Sequence, residues 1–186
     1  MTKKYNEYLS IFIRYLILIL VAIPGLYIFY FIFKPLTLYP SFFFLNIFYE
    51  ANIRNTTIFV GDLLTGNVVP LEIINACIAG SAYYLLLILN LAVPKIKINK
   101  RIKMLVFAFI SFLIISLIRI FVLSTMAVSG SSFFDVTHKV FWYAFSILFV
   151  VGIWFLEVKL FKIKEIPFYS DLEFLFKKSH LSSKVH

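Results

Sequence analysis

Four long apolar runs decide what this chain can fold into: residues 9–33, 71–93, 104–128 and 138–161. A helix needs roughly 20 mostly apolar residues to cross a bilayer, and each run is long enough. Lipid offers no partners to an open backbone, so such runs fold as helices. The hydrophobic share, 62% of 186 residues, exceeds what a soluble domain of this size buries. The expected fold class is therefore all-α: a polytopic membrane bundle of about four to five transmembrane helices. Pro24 and Gly25 lie inside the first run and are expected to kink it. That run is too long for a signal-peptide core and lacks a small-residue cleavage site, so it reads as a retained anchor. A shorter aromatic run, 38–49, reads as an interfacial or re-entrant helix, because aromatic rings favour the headgroup level.

The segment "TTIFVGDLLTGNVVPLEII" is rich in β-branched residues and interrupted by "TGN". It predicts a short β-hairpin leading into the second span. No repeat or linker divides the chain. It reads as one membrane domain, 1–186, with a first helix at 9–33 and an external segment at 34–70. A three-helix core at 71–161 and a basic tail at 162–186 follow.

The net charge of +9 comes from basic residues beside the apolar runs, not along a polar face. This argues for an anionic membrane surface and against nucleic acid. Lys3, Lys4 and Arg14, then Lys95, Lys97, Lys100, Arg101 and Lys103, then Lys159, Lys162 and Lys164 fall on one side. By the positive-inside rule that side is cytoplasmic, and both termini lie there. Lys34 and Arg54 are nearly the only cations on the other side, where Asn55-Thr56-Thr57 matches an N-glycosylation acceptor.

This topology carries three residues to one depth. Cys77, the only cysteine, starts the second span from outside. Arg119 lies near the outer end of the third, and His138 where the fourth leaves the outer face. Taken singly, each has a plain explanation. Cysteine is among the most buried residue types, so packing accounts for Cys77. A histidine at a helix start is commonly interfacial. Arg119 can snorkel outward or pair with Asp135 or Glu72. Yet a charge inside a span costs about 2.5–3.5 kcal/mol even on the lenient insertion scale. Together the three have a chemical use. A thiolate is a nucleophile, and a cation or base beside it promotes its formation. Imidazole takes the thiol proton and returns it to a leaving amine. Guanidinium stabilises an oxyanion or clamps a carboxylate. The set points to acyl transfer through a Cys77 thioester, with His138 as general base and acid and Arg119 as stabiliser.

Other polar residues are secondary. Glu72 and Asp62 could orient His138 or pair with Arg119, and Asp135 is expected to cap the fourth helix. Tyr83 and Tyr84 read as packing. His180 and His186 sit in the basic tail. No phosphate loop, dinucleotide fingerprint or metal-ligand spacing is present, so no cofactor and no metal are expected.

In "NACIAGS", "LIRIFVLS" and "DVTHKVFWYAFSILF" the chain resembles the archaeosortase/exosortase family, over roughly 69–154. Members carry a Cys, an Arg and a His in this order, each at the outer end of a membrane helix. The resemblance implies an integral-membrane thiol protease or transpeptidase that needs no cofactor. Cys77 would be nucleophile, His138 base and acid, and Arg119 the electrostatic stabiliser. Substrates would be secreted surface proteins ending in a sorting motif, a transmembrane helix and a basic cluster. A membrane lipid or another acceptor would take the new carboxyl end. Without that chemistry, the chain reads as a non-enzymatic membrane subunit, or less readily as a transporter fragment.

Overall fold

The computed structural model describes residues 2–23, 26–61, 68–94 and 96–163. It is mostly helical. In chain order it has α1 (Thr2–Ala22), α2 (Tyr27–Phe48), β1 (Glu50–Arg54), β2 (Thr57–Gly61), β3 (Val68–Glu72), α3 (Asn75–Ile78) and α4 (Gly80–Ala92). Then come α5 (Ile98–Val128), α6 (Phe134–Val140), a π-helical turn (Phe141–Phe145) and α7 (Ser146–Leu160). Among the described residues, four helical stretches are long and apolar enough to cross a membrane: Tyr27–Phe48, Asn75–Ala92, Ile98–Val128 and Phe134–Leu160.

The most informative helix is α5, because it is apolar on opposite faces. Met104, Ala108, Phe112, Ser116 and Ile120 are buried, one per turn. Ile102, Val106, Ile110, Ile114 and Ile118, also one per turn, are exposed. A surface helix of a water-soluble domain would be polar on that second face. The buried stripe meets an aromatic core. Phe33 stacks on Tyr83 with ring centroids 3.6 Å apart, and the Phe112 ring meets Tyr83 edge-on at 4.9 Å.

Ring contacts also give the helix directions. Phe33 packs on Phe109 and Phe48 on Phe121, so α2 runs in the same sense as α5. Arg101 at the start of α5 bonds to Asn90 and Arg119 further along it to Cys77, so α4 runs opposite to α5. Phe107 meets Phe161, so α7 also runs opposite to α5. One end of the bundle therefore gathers the end of α2, the sheet, α3, the end of α5 and α6. The other gathers the end of α4, the start of α5, the end of α7 and the exposed Lys97, Lys159 and Lys162.

Three expectations need correction. The first apolar run is not one kinked helix. Helix α1 ends at Ala22, and α2 starts at Tyr27 and takes in all of the 38–49 run but Tyr49, so that run is part of a full-length helix. Residues 24–25, the expected kink, lie outside the described residues. Helix α2 continues through Pro35 and Pro40, which deprive the carbonyls of Phe31 and Leu36 of their usual donors. Neighbouring helices support such prolines in membrane proteins.

Secondly, the expected hairpin is two-thirds of a sheet. The strands pair antiparallel in the order β1-β2-β3, with Ala51 opposite Val60 and Val60 opposite Val69. Ala51, Ile58 and Val60 share the face turned to the helices and are buried there. Asn55, in the exposed β1–β2 turn, has φ +56, which asparagine tolerates better than most residues. The turn between β2 and β3, including Asp62, lies outside the described residues, as does the tail with His180 and His186.

Thirdly, the second span begins at Asn75 rather than Leu71, which is in β3, and the fourth begins at Phe134. Asp135 is thus inside the first turn of α6, and the cap position falls to Phe133, which makes no side-chain cap.

Candidate functional site

Cys77 is not in the body of its span. It lies in α3, a helix of four residues that stops at Ala79. There φ is +53 and ψ is +49, a left-handed conformation that costs a residue with a Cβ about 1–2 kcal/mol. The Ala79 N–H closes the turn on the Asn75 carbonyl at 3.1 Å. Gly80 then restarts the helix against α2. A Cβ at Gly80 would stand 2.8 Å from Cε1 of Tyr30, so only glycine allows this approach. The break turns α3 away from the line of α4 and leaves Cys77 half-buried.

Arg119 reaches this turn from the buried face of α5. Its Nη2 donates to the Cys77 carbonyl at 2.6 Å and to the Ala76 carbonyl at 3.3 Å, and its Nη1 donates to Ser146 Oγ at 3.4 Å. It makes no ion pair with Asp135 or Glu72 or with any other of the described residues. A guanidinium has five N–H donors, so at least two remain free of these bonds.

His138 comes from α6. Its ring lies between those of Phe134 and Trp142, with centroids 5.7 Å and 6.4 Å away and near-parallel planes. This ladder at every fourth residue follows from helical geometry. The π-helical turn begins three residues after His138, and π-turns frequently mark functional sites.

The structure brings all three predicted residues together. Cys77, Arg119 and His138 line one cavity of about 20 Å³, walled also by Ala76, Phe141 and Trp142. Cys77 and His138 face a second cavity of about 200 Å³, bounded by β3 residues including Glu72 and by Ser124. On the far flank of Ala76 a third, of about 460 Å³, is lined by Tyr30, Asn75, Ser81, Tyr143 and Ser146. No hydrogen bond joins Cys77 to His138 among the described residues. Tyr83 and Tyr84 serve the aromatic core, in line with their reading as packing residues.

Sequence reasoning missed Ser146, which ties Arg119 to the π-turn by donating to the Phe141 carbonyl at 3.1 Å. Its signal was a lone serine inside an apolar run. Also missed was a polar cluster at the opposite end. There Arg101 donates to the carbonyls of Asn90, Leu91 and Val93, and the Asn90 amide donates to the fully buried Glu157 at 3.0 Å.

Comparison with models of known families, with curated proteins and with solved structures gives no match.

Proposed function

We propose that this chain is an integral-membrane cysteine peptidase or transpeptidase of the archaeosortase/exosortase kind, acting at the outer face of the cell membrane. One observation carries the reading: Cys77, Arg119 and His138 line a single cavity, although the first and last are 61 positions apart in the chain. The exposed lysines at the opposite end of the bundle support an orientation with the site and sheet outside.

In this reading the Cys77 sulfur attacks the scissile carbonyl while His138 takes the thiol proton. The oxyanion develops beside Arg119, whose charge is desolvated among helices and so acts strongly. Collapse of the adduct breaks the C–N bond, and His138 returns the proton to the leaving amine. The acyl group then passes from Cys77 to water, or to a hydroxyl or amine of a lipid or other acceptor: His138 takes that nucleophile's proton, the C–S bond breaks, and the proton returns to the Cys77 sulfur. Suitable substrates are secreted surface proteins whose tail is a motif, a transmembrane helix and a basic cluster. Such a helix can lie beside the bundle while the motif reaches the depth of Cys77.

A second reading, a non-enzymatic membrane subunit, is favoured by one observation: Arg119 spends its bonds on backbone carbonyls, as a structural residue would. Cys77→Ser separates the two. In cells carrying that variant, surface proteins with the three-part tail should keep it, as read by intact mass. Normal trimming in those cells would favour the subunit.

A further inference from the structure

We infer that Ser146 is a positioning residue that couples Arg119 to the π-helical turn and so holds His138 toward Cys77. This rests on the reading above, that Cys77 and His138 react together. The connection runs through named atoms. Arg119 holds the carbonyls of Ala76 and Cys77 with one end of its fork and Ser146 Oγ with the other. Ser146 passes the link on to the carbonyl of Phe141, the first residue of the π-turn. Phe141 and His138 both line the small cavity with Cys77.

The π-turn sets the direction of His138. One inserted residue rotates the preceding helix by about 100° relative to the following one. Relaxing Phe141–Phe145 to ordinary α-helix would swing α6 about α7 and carry His138 away from the cavity. The Ser146 hydroxyl lies between two demands. It accepts from a cation and donates to a carbonyl of the turn, a chain in which each bond polarises the next. Apolar side chains cannot replace it, whereas threonine keeps the hydroxyl.

Cys77 is the only cysteine, so alkylation of the full chain reports on that sulfur alone. The probe is N-ethylmaleimide, applied to the protein in lipid nanodiscs. Ser146→Val and Ser146→Thr are near-equal in shape and differ by the hydroxyl. Expected is an alkylation rate about tenfold slower for the valine variant and within about twofold of wild type for the threonine variant. In a His138→Ala background, valine at 146 should add less than about twofold, because both changes act on one step. Equal rates for the two variants, or an undiminished valine effect without His138, would overturn the inference. An unchanged rate in His138→Ala alone would instead sink the Cys–His reading on which it rests. If the valine variant does not fold, Ser146→Ala takes its place against threonine.

Discussion

Arg119 donates a 2.6 Å hydrogen bond to the carbonyl of Cys77, 42 residues earlier in the chain. The bond holds the backbone of the residue proposed as nucleophile, not its sulfur. It joins α5 to a four-residue helix whose Ile78 is also anchored in the core.

Removing that fork should therefore cost stability as well as chemistry. Arg119→Ala leaves two carbonyls and the Ser146 hydroxyl without their donor, at an expected loss of about 1–3 kcal/mol. Arg119→Lys should recover only part, because an ammonium is a point charge and not a fork. Denaturant unfolding in detergent measures both. Full recovery with lysine would mean that charge alone, and not the paired geometry, holds α3.

Ala79 gives a test of opposite sign. Its left-handed conformation favours glycine, so Ala79→Gly should raise stability by up to about 1 kcal/mol. Ala79→Val should lower it, because a β-branched residue is a genuine outlier there. A lower melting temperature for the glycine variant would show that the break is not where the strain lies.

Gly80 and Tyr30 should behave as a coupled pair. Gly80→Ala sets a methyl 2.8 Å from the Tyr30 ring, an overpacking expected to cost about 1–3 kcal/mol. Tyr30→Leu removes the ring atoms concerned, so the double variant should be more stable than the sum of the single effects. Simple additivity would mean that the tyrosine swings aside freely.

Arg101 supplies the control. It donates to three carbonyls at the end of α4, with distances of 2.6, 2.7 and 2.8 Å, far from Cys77. Arg101→Ala should destabilise the bundle by about 1–3 kcal/mol. The alkylation rate of Cys77 in the folded fraction should stay at the wild-type value. A slowed rate would show that the two ends of the bundle are coupled.

The convergence of Cys77, Arg119 and His138 was legible because spans alternate in direction. Residues near the start of one span and the end of the next must share a depth. Helix α5 was legible for its long apolar run, but its first turn was not, since "INKRIK" is basic and helix continues past the apolar limit. The junction of α1 and α2 was misread because hydropathy does not mark a helix end inside an apolar run. The run 38–49 was set apart for its aromatic residues, although α2 carries on from Tyr27 through it to Phe48. Strand β1 went unseen because its turn has no glycine; Asn55 takes the positive φ instead. Bonds such as Ser146 to Phe141 depend on a π-turn, which adds a residue without any compositional mark.

The most direct measurement is the alkylation of Cys77 by a membrane-impermeant maleimide added outside intact cells, in wild type and in His138→Ala. The proposed site requires labelling from that side, at a rate that falls about tenfold or more without the imidazole. Labelling at one rate in both proteins would mean that Cys77 and His138 share a cavity without sharing a reaction.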